Sequence, residues 1–96
     1  MSQTPIRIHY QITGAVQGVG LRWRVRHAAQ ALGLTGWVRN NGDGSVTLEL
    51  QGSEAAIDRA FLSLEESLYI RMETVEARHV FPEPEERDFV VRDDRW

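Results

Sequence analysis

The chain contains no cysteine and no lysine. Without thiols it forms no disulfides and offers neither a thiolate nucleophile nor a thiolate metal ligand. No apolar run approaches the roughly 18 residues of a membrane span, and the opening MSQTPIRIHYQ has no hydrophobic signal core. These features predict a cytoplasmic protein that does not enter a membrane. Neither HxH nor HExxH spacing occurs, so no metal and no cofactor are expected. The net charge is −3, which argues against a general binder of nucleic acid.

What is present is one ordinary globular domain, residues 1–96, with 42% hydrophobic and 26% charged residues. All eleven basic residues are arginine. Arg22, Arg24, Arg26 and Arg39, with His27, make the middle of the chain locally basic. The acids concentrate in the C-terminal half. A basic neighbourhood on an acidic protein suits a small anion better than a long polyanion.

Alternation of Ile6, Ile8, Tyr10 and Ile12 predicts a strand over residues 6–13. After a glycine-rich loop, Leu21, Val25, Ala28, Ala29 and Leu32 recur at helical spacing, and Gly33 ends that helix. Residues 35–40 (TGWVRN) and 45–52 (SVTLELQG) read as two strands of a hairpin turned by Asn41, Gly42, Asp43 and Gly44. Ser53 is an N-cap with Glu54 in the first turn. The helix that follows is marked by Ile57, Ala60, Phe61, Leu64 and Leu68. Residues 73–81 form a fourth strand, with Val75, Ala77 and His79 in one parity, and RDFVVRD adds a short C-terminal edge strand. The order predicts a ferredoxin-like βαββαβ α+β sandwich: an antiparallel sheet with two helices on one face.

The loop GAVQGVG carries three glycines and runs into the helix that begins with Leu21 and Arg22. It matches neither the dinucleotide fingerprint nor the Gly-Lys-Ser/Thr nucleotide loop. A small-residue loop entering a helix N-terminus lets successive amide N–H groups converge on an anion, aided by the helix dipole. Arg22 in the first turn adds a planar, permanently charged fork matched to two phosphoryl oxygens. Arg24 and Arg59 read as solvated. Of the two asparagines in WVRNNGDG, strand parity puts Asn40 with Val38 on the helix-covered face, toward Arg22, and turns Asn41 the other way. Asn41 therefore shapes the hairpin.

VQGVGLR, taken with LGLTGWVRNNGDGSV, resembles the acylphosphatase family. In that family a GxVQGVxFR loop cradles phosphate and a GWVxN strand supplies a catalytic asparagine. The matched core spans residues 14–52. The resemblance places the phosphate-binding loop on Gln17, Gly18, Val19, Gly20 and Leu21, the phosphate-binding arginine on Arg22 and the water-positioning asparagine on Asn40. Leu21 stands where phenylalanine is usual, and SLYIRMETV lacks a Gly-Pro-rich turn before the fourth strand. The implied reaction hydrolyses acyl phosphates to carboxylate and inorganic phosphate. No side-chain nucleophile is needed, because the leaving carboxylate has a conjugate acid of pKa about 4. Holding the phosphoryl group, neutralising it and aiming a water in line are enough.

A non-catalytic phosphate- or metabolite-binding module on the same fold is the alternative, since the fold alone decides nothing. RNA binding is a weaker rival: the third strand, VTLEL, has no aromatic for a base to stack on, and Trp23 and Trp37 read as partly core-packed. His9, His27 and His79 lie outside both motifs. The expected partner is a small-molecule substrate, with no nucleic acid and no membrane, for a free-standing monomer.

Overall fold

A computed structural model describes residues 4–92. Seven elements follow one another: β1 (Ile6–Ala15), α1 (Leu21–Leu32), β2 (Thr35–Asn40), β3 (Val46–Gly52), α2 (Glu54–Glu65), β4 (Arg71–Val80) and β5 (Phe89–Arg92). They build a five-stranded sheet in the order β4-β1-β3-β2-β5. The four long strands pair antiparallel, as the ferredoxin-like pattern requires. β5 adds to the edge of β2 in parallel, so the complete sheet is mixed.

Register turns the alternating pattern into a core. Ile8, Tyr10 and Ile12 stand opposite Leu50, Leu48 and Val46, and Leu48 stands opposite Val38. Side chains paired in this way share a face. All of them belong to one buried cluster with Leu21, Val25 and Ala29 of α1 and Ile57, Ala60 and Leu64 of α2. Both helices therefore cover this face. Truncating a fully buried residue such as Leu48 is expected to cost about 2–5 kcal/mol.

The opposite face is polar and locked by charge. Arg7 is 2% exposed, and its guanidinium meets Glu49, Gln51 and Glu86. The loop between β4 and β5 is strapped to this face by that arginine. A reciprocal pair secures it further: the Glu83 N–H donates to Gln51 Oε1 (2.7 Å), and Gln51 Nε2 donates to the Glu83 carbonyl (3.0 Å).

Several details depart from the sequence pattern. β1 runs two residues past Thr13, through a register shift at Thr13/Gly14. α2 stops at Glu65, so Leu68 lies in the following turn and is 86% exposed. β4 starts at Arg71 and its residues are mostly exposed, as suits an edge strand that pairs only with β1. Trp37 is buried, but on the polar face, with the guanidinium carbons of Arg92 and Arg39 at 4.2 and 5.3 Å from its ring. Trp23 is 64% exposed and packs on the His27 ring rather than in the core. Arg24 is not simply solvated: it donates to the Ser63 carbonyl (3.1 Å) and ties α1 to α2.

Candidate active site

The loop between β1 and α1 reaches the helix through two left-handed glycines, Gly18 (φ 73°) and Gly20 (φ 83°). Gly20 is the N-cap of α1, and no side chain caps the helix. Among the described residues, no hydrogen bond is donated by the main-chain N–H groups of residues 17–23. The first to find an acceptor is Arg24, which donates to the Gly20 carbonyl at 3.0 Å. The first turn holds no acid; it holds Arg22, a cation at the end where the helix dipole disfavours one. α2 shows the ordinary solution: Ser53 Oγ accepts from the Ala56 N–H, and Glu54 occupies the first turn. The start of α1 thus lacks both devices that satisfy and neutralise a helix N-terminus, and an anion would supply both.

Arg22, Gly18, Gly20 and Leu21 line one cavity of about 380 Å³ together with Asn40, Val16, Trp23, Arg26 and Val91. The described lining contains two guanidiniums and no carboxylate. Asn40 ends β2 on the helix-covered face, two residues after Val38. Its Oδ1 is buried without a hydrogen-bond partner. A buried carbonyl left unpaired costs about 1–3 kcal/mol, and such costs persist where function uses the group.

Asn41 is placed quite differently. Its Nδ2 donates to Ser45 Oγ (3.0 Å) and Thr47 Oγ1 (2.8 Å), and its Oδ1 accepts from Arg39 Nε (3.1 Å). Asp43 Oδ1 accepts from the Ser45 hydroxyl (2.6 Å) and from the Ser45 N–H (2.9 Å), and these bonds, the hydroxyl's first, hold the Asp43 carboxyl below the usual carboxylate range. The parity argument for Asn41 as a hairpin residue matches this network.

The structure divides the residues expected in the loop. Gly18, Gly20 and Leu21 line the cavity, and Leu21 is also a buried core residue. The side chains of Gln17 and Val19 turn elsewhere. Gln17 Nε2 donates to the carbonyls of Asn41 (2.7 Å) and Ser45 (2.9 Å), fastening the loop to the hairpin. Val19 packs against the core. Trp23, Arg26 and Val91 also line the cavity and were not among the site residues expected from sequence. Arg26 carried a readable signal, standing four residues after Arg22 and so on the same helix face. Val91 carried none, because it reaches the cavity through the pairing of β5 with β2.

The fold and the cavity define an α+β sandwich that presents an open amide loop, an arginine and an asparagine at one site. Comparison with known proteins gives the family. The acylphosphatase family model matches residues 8–91. A curated acylphosphatase of Koribacter versatilis is 39% identical over 92 residues, covering 95% of this chain and 84% of that protein. One of Geobacillus thermodenitrificans is 37% identical over 86 residues, covering 88% and 92%. The solved structure of an acylphosphatase from Coxiella burnetii superposes with a TM-score of 0.83 at 33% identity, covering 96% of this chain and all of that one. The chain belongs to the acylphosphatase family.

Proposed function

We propose that the protein hydrolyses the carboxyl–phosphate bond of small acyl phosphates, and that the cavity at the start of α1 is where it does so. One observation carries the reading: unpartnered amides, the Arg22 guanidinium and the unpartnered Asn40 carboxamide all border a single cavity. The amides and Arg22 receive the phosphoryl oxygens and offset their charge in place before reaction. Asn40 orients a water for in-line attack at phosphorus. A carboxamide suits that task, since a carboxylate base would add negative charge beside a dianion. The P–O bond to the acyl group breaks, and the carboxylate departs with the bonding pair. The water proton passes to a phosphoryl oxygen of the substrate. The protein works as a monomer, and no cofactor takes part.

A binding module would need the amides and Arg22 but not Asn40. The test is decay of the ultraviolet signal of benzoyl phosphate with the wild type and two variants, alongside the affinity for inorganic phosphate. Arg22→Ala is expected to lose about 10³-fold or more in kcat/KM and to lose phosphate binding while keeping its melting temperature. Asn40→Ala is expected to lose about 10²-fold or more in kcat with phosphate affinity held within a few-fold, since water positioning counts in the transition state. An Asn40→Ala protein with near-normal turnover would remove Asn40 from the mechanism. A wild type that binds phosphate without hydrolysing benzoyl phosphate would favour the binding module.

A further inference from the structure

The cavity at the start of α1 adjoins a second one. Arg26 lines both. The second, of about 490 Å³, runs along the C-terminal half of α1 to Gly33, Leu34 and Thr35 and is closed by residues 87–90. β5 borders both, Val91 the first and Val90 the second. Arg87 adds another guanidinium to the second cavity, against the single carboxylate of Asp88. Among the described residues, neither Arg26 nor Arg87 makes an ion pair. Thr35 lines the same cavity, and its Oγ1 is buried without a hydrogen-bond partner. Two uncommitted cations beside an orphaned hydroxyl are a set that receives a carboxylate or phosphate group.

Because Arg26 borders both cavities, one molecule could use the two together. Four helical residues advance roughly 6 Å along the axis, a rise that a four-carbon acyl chain matches. We propose that the second cavity is an acyl-end subsite selecting acyl phosphates whose acyl chain ends in an anionic group, with Arg26 and Arg87 as its specificity-determining residues. This rests on the hydrolytic reading for the placement of the phosphoryl group, but its binding arm can be tested without turnover.

The experiment compares calorimetric binding of 4-phosphonobutyrate and butylphosphonate, which differ only in a terminal carboxylate against a methyl group. Succinyl and butyryl phosphate form the corresponding kinetic pair. The wild type is expected to prefer the anionic member of each pair about five- to tenfold, a preference that shrinks as salt is added. Arg26→Gln and Arg87→Gln should each bring the ratio close to one, and Arg26→Lys should restore much of it. Both arginines are exposed, and thermal melts verify that the variants fold. Equal binding of the two phosphonates to the wild type, or a preference that survives in both glutamine variants, would overturn the subsite. A preference present in binding and lost in the variants supports it even if no acyl phosphate is hydrolysed, in which case the enzymatic reading alone fails.

Discussion

Asn40 and Asn41 are the same residue twice, yet the structure gives them opposite conditions. Asn41 spends both ends of its carboxamide on Arg39, Ser45 and Thr47, whereas Asn40 Oδ1 is buried and unpaired at the cavity. Asn41→Ala should therefore lower stability by about 1–3 kcal/mol with a modest change in turnover, as urea titration and a benzoyl phosphate assay would reveal. A stable but inactive Asn41→Ala protein would mean that the two roles are exchanged. This distinction was legible in the sequence, because strand parity is set by counting from Val38. The position of Trp23 was not. An apolar side chain beside two arginines on a helix reads as core until the packing of His27 against it is known. The fastening role of the Gln17 side chain was likewise hidden, since contacts to carbonyls 24 and 28 residues away leave no trace in local spacing.

Among the elements, α1 is the most informative because it begins badly by the ordinary rules. It lacks a side-chain cap and a first-turn acid, and its entry depends on a left-handed Gly20. Apart from its own residue and chain neighbours, no atom lies within 4 Å of where a Gly20 Cβ would stand, whereas a Cβ on Gly36 (φ 140°) would lie 1.9 Å from the Glu49 carbonyl oxygen. The two glycines should respond differently. Gly36→Ala sets backbone against backbone at the β2–β3 pairing and is expected to cost about 3 kcal/mol or more. Gly20→Ala is expected to cost only about 1 kcal/mol but to weaken phosphate binding severalfold, because the strained residue re-aims the amides. Thermal melts with and without phosphate check both. The helices and the hairpin were readable because 3.6- and 2-residue periods and turn residues are local signals. The parallel pairing of β5 was not, since a four-residue strand leaves direction open, and Leu68 kept helical spacing past the point where the helix ends.

At the scale of the whole molecule, the two faces of the sheet do different work. The helix-covered face supplies the core and holds Asn40 up to the loop, while the polar face fastens the loop between β4 and β5 through Arg7, Glu49, Gln51 and Glu86. Nothing in the alternating pattern announced that Arg7 would be buried, because its partners lie 42, 44 and 79 residues away. Burial would raise the Glu49 carboxyl, but hydrogen bonds from His9 and Arg7 outweigh it and hold the group below its ordinary value. A depressed carboxyl stabilises the fold above its unfolded pKa of about 4.5 and loses that contribution as pH falls through the folded value. Urea unfolding should show stability declining below about pH 4.5, with a shallower decline in Glu49→Gln; identical acid profiles would separate the cluster from acid stability. The site itself is tested most directly by hydrolysing benzoyl phosphate in water enriched in ¹⁸O. Attack of an Asn40-aimed water at a phosphorus held by the amide loop and Arg22 predicts one heavy oxygen in the released inorganic phosphate and none in the benzoate. Heavy oxygen in the benzoate would mean attack at carbon and would contradict the account.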